Sequence, residues 1–124
     1  MDNMKGFSMM IQELKKNPKT IVFTEGTDER ILEAASRLLA GSFLTPILVG
    51  NKEAVLEAAE KYGYNIRGGE IIDPDDYERF DEMVELFCEL RKSKGVTPEQ
   101  AAKTLKSNNY FGTMLVKMGV ADAL

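Results

Sequence analysis

The chain of 124 residues has no histidine, no tryptophan and one cysteine, Cys88. Without histidine it can form neither a Ser–His–Asp triad nor a Cys–His pair. A histidine-based zinc or iron site is excluded, and one cysteine cannot make a four-cysteine site. Any chemistry must therefore use arginine, lysine, carboxylates, hydroxyls or groups from another chain. Positive charge is also in deficit: 16 Lys and Arg against 20 Asp and Glu give a formal charge of −4. That balance argues against a broad nucleic-acid or anionic-membrane surface, while leaving room for a local cationic site for a phosphorylated ligand. No apolar run approaches the ~18 residues of a membrane span, and the opening MDNMKGFSMMIQELKK has no signal-peptide core. With a lone cysteine, these absences predict a cytoplasmic protein. Linkers, internal repeats and low-complexity segments are missing as well.

What is present is ordinary globular material, 44% hydrophobic and 29% charged. A chain of 13.8 kDa should expose about 6,600 Å² of the roughly 20,000 Å² its unfolded form exposes. A core can form without disulfide or metal staples. The length fits one domain or a piece of one.

Three β-rich runs stand out: Thr20–Glu25, Thr45–Gly50 and Glu70–Asp73. The first two are continuous apolar runs, which suits strands covered on both faces. Asp28–Ala40 and Lys52–Lys61 carry apolar residues at helical spacing between them. An N-terminal amphipathic helix precedes this β-α-β-α-β order, lined by Met1, Met4, Met9 and Met10 and expected to pack on the domain. The alternation implies α/β architecture: three layers, α/β/α, around a mostly parallel sheet. The second half turns helical. Pro74–Lys92 shows a stripe of Tyr77, Phe80, Val84, Phe87 and Cys88. Thr97 with Pro98 behind it starts a further helix, Asn108–Asn109 breaks it, and Tyr110–Met118 forms another apolar segment. Val120–Leu124 reads as a fourth strand that has barely begun. Either that strand simply ends the sheet or the chain is truncated there, and truncation is the expectation.

Few residues offer chemistry. The turn Glu25–Arg30 stands where nucleotide-binding folds place a phosphate loop, but it has neither GxGxxG nor GxxxxGK[ST]. Thr27 reads as the N-cap, and Asp28 and Glu29 in the first helical turn would repel a phosphate. Arg30 either reaches a ligand or pairs with Glu25, Asp28 or Glu33. Glu89–Val96 is the most cationic stretch. Its Arg91 lies at i+4 from Phe87 and i+3 from Cys88, on the apolar side of the helix. Two compatible readings stand: a basic C-terminal cap with Gly95 as the left-handed stop, and a phosphate clamp. Cys88 reads as a small core residue. The carboxylates Asp73, Asp75, Asp76, Glu78, Asp81 and Glu82 read as a solvated helix N-terminus after Pro74, so no metal is expected.

Five segments, IVFTEGTDER (21–30), PILVGN (46–51), IIDP (71–74), ELRKSKGVT (89–97) and NYFGTMLVKMGVADA (109–123), resemble the phosphate acetyltransferase (phosphotransacetylase) family in order and spacing. The resemblance covers nearly the whole chain. Phe23–Thr24 departs from a leucine–proline pair common in the family. The resemblance implies transfer of an acetyl group between coenzyme A and inorganic phosphate, acetyl-CoA and phosphate giving acetyl phosphate and coenzyme A. It implies two α/β domains with a cleft between them, usually in a homodimer. Coenzyme A or acetyl-CoA is then a substrate, with no permanently bound cofactor and no metal. Arg91 resembles an arginine that binds coenzyme A, and Arg30 a second arginine near the cleft. Family chains are much longer. The match therefore implies that residues 1–124 are the N-terminal portion of the first domain, with the catalytic aspartate base and the arginine and serine oxyanion partners beyond Leu124. A phosphate butyryltransferase, or a non-catalytic acyltransferase-like module for ligand sensing or assembly, are the alternatives.

Overall fold

The structure, a computed structural model, describes residues 19–42 and 44–124. The N-terminal methionine-lined segment lies outside the described residues. Strand β1 (Lys19–Phe23), helix α1 (Glu29–Gly41), strand β2 (Leu44–Val49), helix α2 (Lys52–Tyr62) and strand β3 (Glu70–Ile72) follow one another as the alternation predicts. The sheet order is β1-β2-β3, all parallel, with Val22 beside Ile47 and Val49 beside Ile72. β2 is central, and its PILV run is buried throughout.

Successive strand residues face opposite ways, as the pleat requires. Leu48, Phe23 and Ile71 pack with Leu32 and Ala35 of α1 and Val55 and Ala59 of α2. Val22, Ile47, Val49 and Ile72 pack on the other face, against Met83, Phe87, Ala101, Leu105, Phe111, Met114 and Leu115. The expected α/β/α layering is therefore present. Both helices of the first layer are capped by side chains. Asp28 accepts from the N–H groups of Arg30 and Ile31, and Asn51 from that of Ala54. The N-cap of α1 is thus Asp28 and not Thr27, because the carboxylate reaches two orphan donors at once.

The second layer holds three helices: α3 (Phe80–Leu90), α4 (Pro98–Leu105) and α5 (Asn108–Lys117). The expected helix from Pro74 is shorter than its stripe. Pro74–Asp76 forms one 3-10 turn, capped by Asp73 through the Asp75 N–H, and Tyr77 is extended (φ −108°, ψ 120°). The extended backbone turns the Tyr77 ring edge-on to Phe111, with centroids 5.3 Å apart. Burial there raises the phenol pKa above its ordinary value. With α3 starting at Phe80, its inward positions are Met83 and Phe87, and Cys88 packs partly buried beside them. α4 begins as its sequence predicts, with Thr97 and Gln100 forming a reciprocal capping box. The break after it falls at Lys106–Ser107. Asn108 and Asn109 open the next helix, with Ser107 as N-cap.

After Gly119, which takes φ +78°, the chain returns beside β1. Ala123 pairs in parallel with Ile21, the Val22 N–H donates to the Ala123 carbonyl, and the Asp122 N–H donates to that of Thr20. The predicted fourth strand is present as this single bridge.

Candidate functional site

Two places hold the arginines and the turn that the sequence singles out. The first is the carboxyl edge of the strands, where open parallel sheets bind ligands. Glu25–Asp28, Gly50, Asn51 and Asn108 bound a cleft of about 430 Å³. Gly26 is required there: its N–H donates to the Val49 carbonyl at 3.1 Å, and a Cβ would sit 2.9 Å from that oxygen. Arg30 is the second residue of α1. Its side chain is 92% exposed, and its nearest carboxylate is that of its own helix cap, Asp28, at 3.8 Å. Of the pairings the sequence allows, the structure realises Arg30–Asp28, while Glu33 bonds Arg37.

The second place is centred on Arg91, in the opposite layer. α3 runs 11 residues, about 16 Å at 1.5 Å per residue, before reaching it. Arg91 is the C-cap residue of α3, and its N–H bonds the Phe87 carbonyl. A 3-10 turn, Lys92–Lys94, follows and ends at Gly95 with φ +66°. The cap reading is thus correct in form. The side chain does something further: its guanidinium carbon lies 5.2 Å from the centre of the Phe87 ring, a stacked cation–π contact. Among the described residues no carboxylate pairs with Arg91, Lys103 or Lys117.

Arg91 separates two depressions that share Phe87, Arg91 and Tyr110. One, about 290 Å³, adds Leu90, Met114, Thr113 and Lys117. The other, about 400 Å³, adds Gln100, Lys103, Thr104 and Val96. Among the described residues no carboxylate lines either one. The Phe87 and Tyr110 rings meet perpendicularly at 6.3 Å, which fixes the floor between them. Sequence reasoning isolated Arg91 but not Tyr110, Lys103 or Lys117. The signal available was Tyr110, Thr113 and Lys117 at i, i+3, i+7 on one face of α5. The structure does not bring Arg30 and Arg91 together, since they belong to opposite layers.

Three of the six carboxylates from Asp73 to Glu82 have partners among the described residues. Asp73 caps the 3-10 turn, Asp75 pairs with Lys106 at 3.2 Å, and Glu82 pairs with Arg79 at 2.8 Å. The Arg79 hydrogen bonds hold the Glu82 pKa below its usual value. Among the described residues, no three such side chains gather into a metal-binding group, and no helix is long and apolar enough to cross a membrane.

The fold is a parallel α/β/α unit, and its Arg91, which has no carboxylate partner among the described residues, stands in an aromatic-floored groove. Residues 7–124 match the family model described as phosphate acetyl/butaryl transferase, and the chain belongs to that family. It is 44% identical over 118 residues to a phosphate acetyltransferase of Bacillus subtilis, covering 95% of this chain and 36% of that protein. Among solved structures, it superimposes on a phosphotransacetylase from Streptococcus pyogenes with a TM-score of 0.84 at 44% identity, covering 94% of this chain and 35% of the other. For the EutD phosphotransacetylase from Staphylococcus aureus the TM-score is 0.79 at 41% identity, over 92% of this chain and 36% of the other. The chain spans about a third of the length of these relatives.

Proposed function

We propose that this chain forms the amino-terminal wall of the active-site cleft of a phosphate acetyltransferase, within the first of two α/β domains. The whole enzyme would transfer acetyl between coenzyme A and inorganic phosphate, in the cytoplasm and as a homodimer. In the direction that forms acetyl-CoA, the coenzyme A thiol gives its proton to a base and its sulfur attacks the carbonyl carbon of acetyl phosphate. The C–S bond forms, the bond from carbon to the phosphate oxygen breaks, and phosphate leaves. The residues of this chain bind in that scheme. The base and the oxyanion partners belong to the remainder of the enzyme, so the chain alone is expected to give no turnover in a coupled acetyl-transfer assay. Acetyl as the acyl group is supported by the similarity to phosphate acetyltransferases.

The observation that carries the proposal is Arg91, stacked on Phe87 and free of any carboxylate among the described residues, with Lys103 and Lys117 on either side. A guanidinium so held presents hydrogen-bond donors to a phosphate without first breaking an ion pair. Arg30, solvated and loosely held, is the second and weaker contact. The test is calorimetric titration with 3′,5′-adenosine diphosphate, the nucleotide end of coenzyme A. A charged hydrogen bond contributes about 1.5–3 kcal/mol, so Arg91→Ala should weaken binding about tenfold or more. Unchanged affinity would refute the assignment.

A further inference from the structure

We propose that the groove between α2 and the outer edge of β3 is a contact between two copies of this chain, the α2 helices lying antiparallel across it. The groove holds about 620 Å³. It lies in the layer opposite Arg91 and does not depend on the acetyl-transfer reading. Ile66 and Ile71 line it beside β3, and β3 pairs only with β2 among the described residues. Open sheet edges are normally covered, since their unpaired N–H and C=O groups invite another chain. The wall contributed by α2 is a ridge of Lys52, Leu56 and Glu60 at i, i+4, i+8. Leu56, at its centre, is 47% exposed.

The charges point to the occupant. Lys52 and Arg67 line the groove together with Glu60 and Glu70, so it suits neither a polyanion nor a polycation. None of the four belongs to an ion pair among the described residues. The order along α2 also opposes the helix itself. Lys52 opens the helix and Glu60 lies in its last turn, where the macrodipole favours the opposite signs. A second α2 turned antiparallel answers these features together. Ridges of this i±4 kind pack into one another's grooves. About a two-fold axis at Leu56, Lys52 meets Glu60 of the second copy, Glu60 meets its Lys52, and the two Leu56 side chains cover one another. A two-fold contact requires such self-complementarity, each pair occurring twice.

The experiment is sedimentation of the chain and of three variants, Leu56→Asp, Lys52→Glu and Glu60→Lys. The chain is expected to dimerise as its concentration rises, and less so at high salt. Leu56→Asp should stay monomeric. Each charge reversal sets like charges against one another at both ends of the ridge and should weaken the dimer about tenfold or more. Both reversals suit the helix dipole, so loss of the fold does not account for the effect. An equimolar mixture of Lys52→Glu and Glu60→Lys should recover the dimer, because one carries two carboxylates on the ridge and the other two ammonium groups. A chain that is monomeric at every concentration would overturn the proposal and leave the groove to a different occupant. A dimer indifferent to Leu56→Asp, or a mixture that fails to recover it, would overturn it as well. Sedimentation reads this contact and nucleotide titration reads Arg91, so either proposal can fail alone.

Discussion

The two helical layers cover the same three strands yet are built differently. α1 and α2 lie on the sheet through small and aliphatic residues, Leu32, Ala35, Val55 and Ala59, and each starts with a side-chain cap. α3 to α5 pack through Met83, Phe87, Phe111 and Met114 and leave an aromatic floor open beneath Arg91. Each layer carries one of the two arginines that the sequence singles out, Arg30 in α1 and Arg91 at the end of α3. Arg30 leans toward its own cap in solvent, whereas Arg91 is held on a ring and meets no carboxylate among the described residues. The same residue type is thus a surface charge in one layer and a preorganised donor in the other. Packing, not net charge, makes that difference, which is how a chain of formal charge −4 carries a cationic groove.

The largest test of this contrast lies in the cores. Phe111 is fully buried and meets Tyr77 edge-on. Phe111→Ala should cost about 3–5 kcal/mol, and Leu32→Ala about 2–5 kcal/mol, both read by urea unfolding. The distinguishing readout is the groove. Phe111→Ala should also weaken nucleotide binding, because α5 carries Tyr110, while Leu32→Ala should leave binding unchanged. Equal effects on binding would break the comparison.

Capping sharpens it on a smaller scale. Asp28→Ala removes an acceptor for two N–H groups and should cost about 1 kcal/mol. Ser107 makes no side-chain capping bond, so Ser107→Ala should change the unfolding midpoint by less than measurement error. The smallest effect is acid-dependent. The folded-state pKa of Glu82 is lowered by its hydrogen bonds from Arg79. The stability this adds is therefore fully present above the ordinary glutamate pKa and is lost as pH falls through the lowered value. The pair is exposed, so the slope should be shallow. Glu82→Gln should flatten it; an unchanged acid slope would show that the pair adds nothing.

What the sequence makes legible follows the range of the forces involved. PILV in β2 declares a buried central strand because every position is apolar, and Thr97-Pro98 declares a helix start because capping is local. The segment 74–79 misleads for the opposite reason. Pro74 and the carboxylates after it look like a helix N-terminus, but Tyr77 is drawn extended by Phe111, 34 positions away, and the helix waits until Phe80. The Asn108–Asn109 break is displaced by two residues because Ser107 serves as the N-cap. Arg91 is legible through its i+4 relation to Phe87, which the ring contact realises. Lys103, Lys117 and Tyr110 come from two other helices, and only the packing of α4 and α5 around α3 reveals them as its neighbours.

The contrast between the two arginines is tested most directly by titrating coenzyme A into the chain and into its Arg91→Ala and Arg30→Ala variants under one buffer. The account predicts a loss of about tenfold or more for Arg91→Ala and less than about threefold for the solvated Arg30. Coenzyme A affinity unmoved by Arg91→Ala, or a larger loss from Arg30→Ala, would contradict it.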